Sequence, residues 1–387
     1  MSDTITLSGA TLPDGRTRDV VLRHGRISVL RAPEQPRPRG LSGLDLRGYV
    51  VLPAPAEPHT HLDRALTWQP VGSDPDGRDG AIRSWRIGSA RYGLGDLRRR
   101  SRDALRAASA NGITAVRTHL DVGDGRSPLR AVEVMAELRT EFLRFLDLQI
   151  VAVPVPGTSD RTIVDAVSAG ARVIGGMPRN APDSRIEIRR LLRLADRAEV
   201  ALDLHLDDGF DPRVLAVGDL ARLLRASGFD RPVTASHLGG LNRLAPSALG
   251  RVVETIAASG MRVVALPSAR GCGLPMRELL AAGVRVAAGG DHLRDAVHPM
   301  GRADPLVTAA ATGLAPAHAW AAVATHARGA LGLPSGELEP GAPADLLAVR
   351  ADSLAAALRE CPQDRIVIRA GRVIGRTASI RRVPVAA

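Results

Sequence analysis

The chain has 387 residues, 45% of them hydrophobic, enough to bury a large core as two or three domains or as one large barrel with an appendage. Its formal charge of +11 argues little for nucleic acid, because all 52 basic residues are arginines dispersed among Asp and Glu. No apolar run reaches the roughly 18 residues of a membrane span, and the Met1-Ser2-Asp3-Thr4 start lacks a basic-then-apolar signal, so a cytoplasmic protein with neither membrane nor nucleic-acid partners is expected.

Residues 4–7, 19–22 and 27–30 read as short strands, joined by turns at Pro13-Asp14-Gly15 and His24-Gly25. The C-terminal end has the same texture, with residues 344–349, 365–369 and 371–374 strand-like. The two ends are expected to meet in one small β-domain, residues 1–52 with 334–387, around a central domain at 53–333.

Between them, strand-like apolar runs alternate with helical stretches. The runs are 50–54, 115–120, 148–155, 172–177, 201–206, 232–238, 262–266 and 285–288. Helical patterns such as 97–111, 186–199 and 215–227 fill most gaps, and Gly112, Gly170, Gly228, Gly260 and Gly283 stand just before strands, where helix C-caps fall. Arg98-Arg99-Arg100, the densest basic run, reads as a solvated helix face. Eight parallel strands with crossover helices close naturally into a (β/α)₈ TIM-type barrel.

Such a barrel keeps its chemistry at the C-terminal ends of its strands. The first strand end carries His59 and His61, whose spacing puts both imidazoles on one side of an extended chain. The second ends in His119-Leu120-Asp121, the third in Pro154-Val155-Pro156 and the fifth in His205-Leu206-Asp207-Asp208. The sixth ends in Ser236-His237 and the eighth in Asp291-His292. Only 10 histidines are present, yet six fall at these ends, which points to a metal centre with imidazole and carboxylate ligands. The chain has no lysine, so a pair of metals bridged by a carboxylated lysine is excluded and a single ion is expected. Cys272 and Cys361 lie far apart and make neither a zinc knuckle nor a disulfide framework.

Glu57-Pro58-His59-Thr60-His61-Leu62-Asp63, Val116-Arg117-Thr118-His119-Leu120-Asp121-Val122, Leu202-Asp203-Leu204-His205-Leu206-Asp207 and Val233-Thr234-Ala235-Ser236-His237 carry a resemblance. Leu279-Leu280-Ala281-Ala282-Gly283-Val284, Gly290-Asp291 and Gly341-Ala342-Pro343-Ala344-Asp345-Leu346 continue it. Together these segments resemble the amidohydrolase superfamily, in its cytosine-deaminase-like branch. The resemblance implies that His59, His61, His205 and Asp291 hold one divalent metal, zinc or iron, that makes water available as a nucleophile at neutral pH. It implies that Asp291 takes a proton from that water and that His237 hydrogen-bonds the oxygen on which charge develops.

Two departures bear on the reaction. A glutamate shuttles the proton to the leaving nitrogen in the family, and here the position is Asp208, one methylene shorter. The plain alternative for Asp208 is a cap on the next helix, with Asp207 then the reserve. The family's Pro-Gln ring reader is Pro154-Val155 here, and His292 replaces an aspartate that often follows the last ligand. The segment from Asp295 to Gly301 also lacks the family's tryptophan. Val155 and His292 are therefore the candidate substrate-binding positions, and the substrate is expected not to be cytosine itself. Glu57 is expected to hold the loop of the first strand, and His119 and Asp121 to sit behind the ligands, orienting an imidazole. Trp68, Trp85 and Tyr92 lie in a long stretch able to cover the barrel mouth.

The expectation is a (β/α)₈ barrel with a small β-sandwich domain formed from both chain ends, hydrolysing a non-peptide C–N bond of a small cyclic, nitrogen-rich substrate. The resemblance adds a homo-oligomer. Opening of a cyclic amide or imide is the alternative chemistry, and a metal-retaining subunit without catalysis is the alternative from another class.

Overall fold

The computed structural model describes residues 4–33, 43–68, 80–81, 83–85, 88, 92–124, 127–208, 211, 215–267 and 273–377. Strands β1 (Thr4–Thr11), β2 (Thr17–Arg23) and β3 (Arg26–Arg31) form an antiparallel meander. Strands β4 (Gly43–Asp45) and β5 (Tyr49–Pro53) join β1 in parallel. Then follow β6 (Ala56–Thr60), β7 (Ala115–Val122), β8 (Asp147–Pro154), β9 (Val173–Gly176), β10 (Ala201–Leu206), β11 (Val233–His237), β12 (Arg262–Ala265) and β13 (Val286–Ala288), neighbours in sequential order in one parallel sheet. The last strands, β14 (Leu346–Arg350), β15 (Arg365–Arg369) and β16 (Arg372–Thr377), return to the first sheet. There β14 runs antiparallel to β5, with Leu346 opposite Pro53 and Arg350 opposite Tyr49. Both chain ends thus complete one sheet, as the strand texture of the two ends requires.

The parallel sheet closes on itself. Asp291, just past β13, bridges Thr60 of β6: its N–H donates to the His59 carbonyl (3.0 Å), and the His61 N–H donates to the Asp291 carbonyl (3.1 Å). Helices pack outside the strands through single apolar faces. The helix Ser184–Arg197 buries Ile188, Leu191, Leu192, Leu194 and Ala195, and Asp183 caps it by accepting from the N–H groups of Arg185 and Ile186. Helices Val217–Ser227 and Pro246–Ser259 end at Gly228 and Gly260, with φ of 67° and 71°, a conformation that a Cβ disfavours. The core these faces fill is almost wholly aliphatic. Among the described residues no helix is long and apolar enough to cross a membrane.

Two local expectations need correcting. The apolar run at 50–54 is strand β5 of the end sheet, and the first barrel strand is Ala56–Thr60. That strand carries Glu57, Pro58 and His59 in place of aliphatic residues, so a reading by hydrophobic runs stops one strand early. Arg100 does not lie on a solvated face. It is 2% exposed, pairs with Asp96 at 2.6 Å and donates to the carbonyls of Asp63 (3.0 Å) and Ala65 (2.7 Å), fixing the loop behind His61.

Candidate active site

Strand ends around the barrel mouth deliver the expected side chains to one place: His59 and His61 at the end of β6, His119 from β7, His205 from β10, His237 from β11, and Asp291 with His292 after β13. None is more than 4% exposed. Asp291 Oδ1 lies 3.6 Å from Nε2 of His59, 3.6 Å from Nε2 of His61 and 3.4 Å from Nε2 of His292. The Nε2 atoms of His61 and His205 are 3.4 Å apart. Metal–ligand bonds of about 2.0–2.2 Å leave ligand atoms roughly 3.0–3.6 Å from one another, which is this spacing. Three overlapping trios have their ligand atoms close enough for an ion: His59, His119 and His205; His59, His237 and Asp291; His61, Asp291 and His292.

The chemistry of these atoms fits a divalent metal. Among the described residues, His59 Nε2 and both carboxylate oxygens of Asp291, all buried, have no hydrogen-bond partner, a costly condition that a cation among them relieves. Burial, reinforced by the surrounding imidazoles, holds the His59 pKa well below the ordinary value. Burial with Arg64 and His292 does the same for His61. Both rings are therefore neutral at neutral pH, the form that ligates.

The backbone bends to converge these groups. His237 (φ 76°) and Asp291 (φ 61°) occupy the left-handed region, at a cost on the order of 1–2 kcal/mol each. The closing segment approaches β6 so nearly that a Cβ on Gly289 would meet Glu57 Oε1 at 2.6 Å and the His59 backbone at 3.3 Å. Glu57 staples the two, accepting from the N–H groups of Gly290 (2.9 Å) and His59 (3.1 Å). Its burial pushes its pKa up to about 8 in spite of those bonds.

A cavity of about 320 Å³ opens above this floor. His61 and His292 line its base, Val153, Pro154 and Val155 one wall, and Met177, Arg179, Asn180 and Asp208 another. The Asp208 side chain is 2% exposed and pairs with Arg179, Nε to Oδ1 2.8 Å. His292 turns Nδ1–H toward Asp295 Oδ2 at 2.5 Å. Burial opposes a charge on His292, but Asp291 and Asp295 outweigh it and hold its pKa above the ordinary value.

The sequence pattern of the amidohydrolase family matches residues 89–374. The chain belongs to the amidohydrolase family. It is 31% identical to the pterin deaminase of Rhizobium rhizogenes, over 96% of this chain and 92% of that one. It is 26% identical to the N-isopropylammelide isopropyl amidohydrolase of Pseudomonas sp., over 67% and 68% of the two. Among solved structures, 5-methylcytosine deaminase from Klebsiella pneumoniae superposes with a TM-score of 0.88 at 26% identity, covering 99% of this chain and 100% of that one. N-isopropylammelide isopropylaminohydrolase from Burkholderia multivorans gives 0.85 at 28%, covering 97% and 99%. This amidohydrolase is accordingly a metal-dependent hydrolase of carbon–nitrogen bonds other than peptide bonds.

The amidohydrolase departs from its sequence reading in one side chain of the site. Asp121 is not behind the ligands but on the cavity wall, accepting from Arg64 Nη2 at 2.7 Å. His119 stacks on His59 with ring centroids 3.9 Å apart, its ligand atom close to those of His59 and His205. Asp207, rather than Asp208, secures the next helix, accepting from the N–H groups of Ala216 (2.7 Å) and Val217 (3.0 Å). Burial raises the Asp207 pKa to about 6 even so. Trp85 reaches the cavity lining, whereas Cys272 lies outside the described residues. Arg64, Arg179 and Asn180 also line the cavity, and the sequence pattern assigns them no role. The last two sit on the 3₁₀ turn Pro178–Asn180 after β9, and the available signal was a fourth strand end carrying polar residues with no assigned task.

Proposed function

We propose that this amidohydrolase removes an exocyclic amino group from a small nitrogen heterocycle, with a fused, pterin-like ring favoured over cytosine. The observation that carries the proposal is the buried Asp208 carboxylate, in one cavity with His61 and His292 and beside an apolar wall at Val155. The full-length likeness to a pterin deaminase supports the fused ring. A divalent ion, zinc or iron by donor type, would be held by His59, His61, His205 and Asp291 and would supply Lewis acidity that acidifies a water toward neutral pH.

The remaining work falls to side chains. Asp291 accepts a proton from the water as its oxygen bonds to the amino-bearing ring carbon. His237 stabilises the charge that develops on the adding oxygen. Asp208, held by Arg179, carries that proton to the departing nitrogen, ammonia leaves, and the proton still on the added oxygen passes to the ring nitrogen to give the oxo form. Val155 offers the ring a surface without hydrogen bonds, and His292 closes the floor beside Asp291.

Metal content and ammonia release over pterins, pyrimidines, aminotriazines and cyclic ureas test this. One ion per chain and ammonia from a pterin are expected. An alkylamine released from an alkylaminotriazine instead would favour the chemistry of the ammelide relatives, and metal without any turnover would sink the proposal. Asp208→Asn is expected to lower kcat by about 10²–10⁴-fold with metal content unchanged. Turnover close to that of the unaltered enzyme would remove Asp208 from proton transfer.

A further inference from the structure

Inside the barrel, directly beneath the imidazoles, lies an ionic layer. Arg117 precedes His119 by two residues on β7, Asp203 precedes His205 on β10, and Thr234 precedes Ser236 on β11, so each pair shares the inward face of its strand. The register sets Arg117 opposite Gln149, Asp203 opposite Thr234, and His205 opposite Ser236. Barrel interiors are ordinarily filled with branched aliphatic side chains, and a buried charge pair in their place asks for a reason.

Hydrogen bonding supplies one. The Arg117 guanidinium, 2% exposed, donates to Asp203 Oδ2 at 2.7 Å, to Gln149 Oε1 at 3.0 Å and to the Ala330 carbonyl at 2.7 Å. Paired in this way, the Asp203 carboxylate can only accept. Its Oδ1 takes the hydroxyl proton of Ser236 at 3.3 Å. A serine has one proton to give, so toward His59 Nδ1, 3.0 Å away, Ser236 Oγ presents lone pairs alone. The proton of the neutral His59 ring therefore sits on Nδ1. Its Nε2 is left with a lone pair directed at Asp291.

We propose that Ser236 and Asp203 are positioning residues of the metal centre, fixing the tautomer and ring orientation of His59 and so the atom it offers to the ion. The proposal rests on the metal centre and not on the heterocycle, and a failed substrate panel leaves it untouched. Removing Ser236 takes away the acceptor for Nδ1–H while the Arg117–Asp203 pair stays intact. Asp203→Asn acts differently: its carboxamide can donate to Ser236, which then donates to Nδ1 and favours the wrong tautomer.

The test uses the full chain stripped of metal and titrated with Zn²⁺ against a competing chelator. Ser236→Ala is expected to weaken zinc binding roughly 10–100-fold. Asp203→Asn is expected to weaken it at least as much, and Ser236→Thr to restore it. The melting temperature of the metal-free Ser236→Ala chain should stay within about 3 °C of wild type, which separates positioning from packing. Nitrogen-15 spectra of histidine-labelled apoprotein should show His59 as the Nδ1–H tautomer in wild type and as a mixture in Ser236→Ala. Zinc affinity of Ser236→Ala within about threefold of wild type would overturn the proposal, as would an Nε2–H tautomer of His59 in the wild-type apoprotein.

Discussion

Asp291→Asn is expected to lower turnover by about 10³–10⁴-fold while leaving the chain folded. Asparagine suits the left-handed conformation that Asp291 adopts, φ 61°, and keeps both backbone bonds that close the barrel against β6. What it lacks is the charge. Asp291 Oδ1 stands 3.4–3.6 Å from three imidazole Nε2 atoms, and both its buried oxygens lack a hydrogen bond among the described residues. Its carboxylate is the anionic member of the candidate ligand set, and the base assigned to the attacking water. Asp291→Ala goes further: it removes the ligand atom and puts a less tolerant residue in the left-handed region, adding a cost on the order of 1–2 kcal/mol. Comparing kcat with metal retained after dialysis separates the two losses. The asparagine variant should keep part of its metal and lose turnover, and the alanine variant should lose both. An asparagine variant that turns over within tenfold of wild type would take Asp291 out of the reaction.

Much of this centre is legible in the chain because barrel topology turns sequence order into geometry. A histidine at the C-terminal end of a parallel strand has one place to go, so His59, His61, His205, His237 and Asp291 converge even though they are scattered from residue 59 to 291. What stays hidden is whatever depends on rotation or on turns. Asp207 and Asp208 are adjacent carboxylates in the sequence, and only the left-handed backbone at Asp207, φ 50°, sends one to the helix and the other to the cavity. Arg179 reaches Asp208 from a 3₁₀ turn with no periodicity to announce it. Asp203 and Arg117 look like isolated polar residues in apolar strands, and their pairing appears only once β7 and β10 face each other across the barrel. Strand β6 shows the reverse effect, since the residues that make it functional erase its hydrophobic signature.

Arg365→Met is expected to destabilise the metal-free chain by about 3–5 kcal/mol, although Arg365 belongs to β15 of the end sheet, outside the barrel. Its side chain is 0% exposed and grips Asp304 in two bonds, Nη1 to Oδ1 at 2.9 Å and Nη2 to Oδ2 at 2.8 Å. A further bond runs to the Asn111 carbonyl at 3.3 Å, and Asn111 itself donates to the Ala303 carbonyl at 2.9 Å. The end of the helix Leu94–Ala110, the segment after β13 and the end sheet thus meet at one guanidinium. Methionine fills much of the vacated volume, so the expected cost is not a cavity but a carboxylate left buried and unpaired. That reasoning gives a second, opposite result. Arg365→Met with Asp304→Ser removes the orphaned charge, yet serine can still cap the helix Pro305–Ala311 as Asp304 does through the Leu306 N–H at 3.0 Å. The double variant should recover most of what the single one loses. Urea unfolding supplies the comparison: a lower midpoint at unchanged slope marks lost stability, and a lower slope marks an end sheet that separates before the barrel unfolds. A single variant within about 1 kcal/mol of wild type would mean that contacts other than this ion pair hold the two sheets in one cooperative unit.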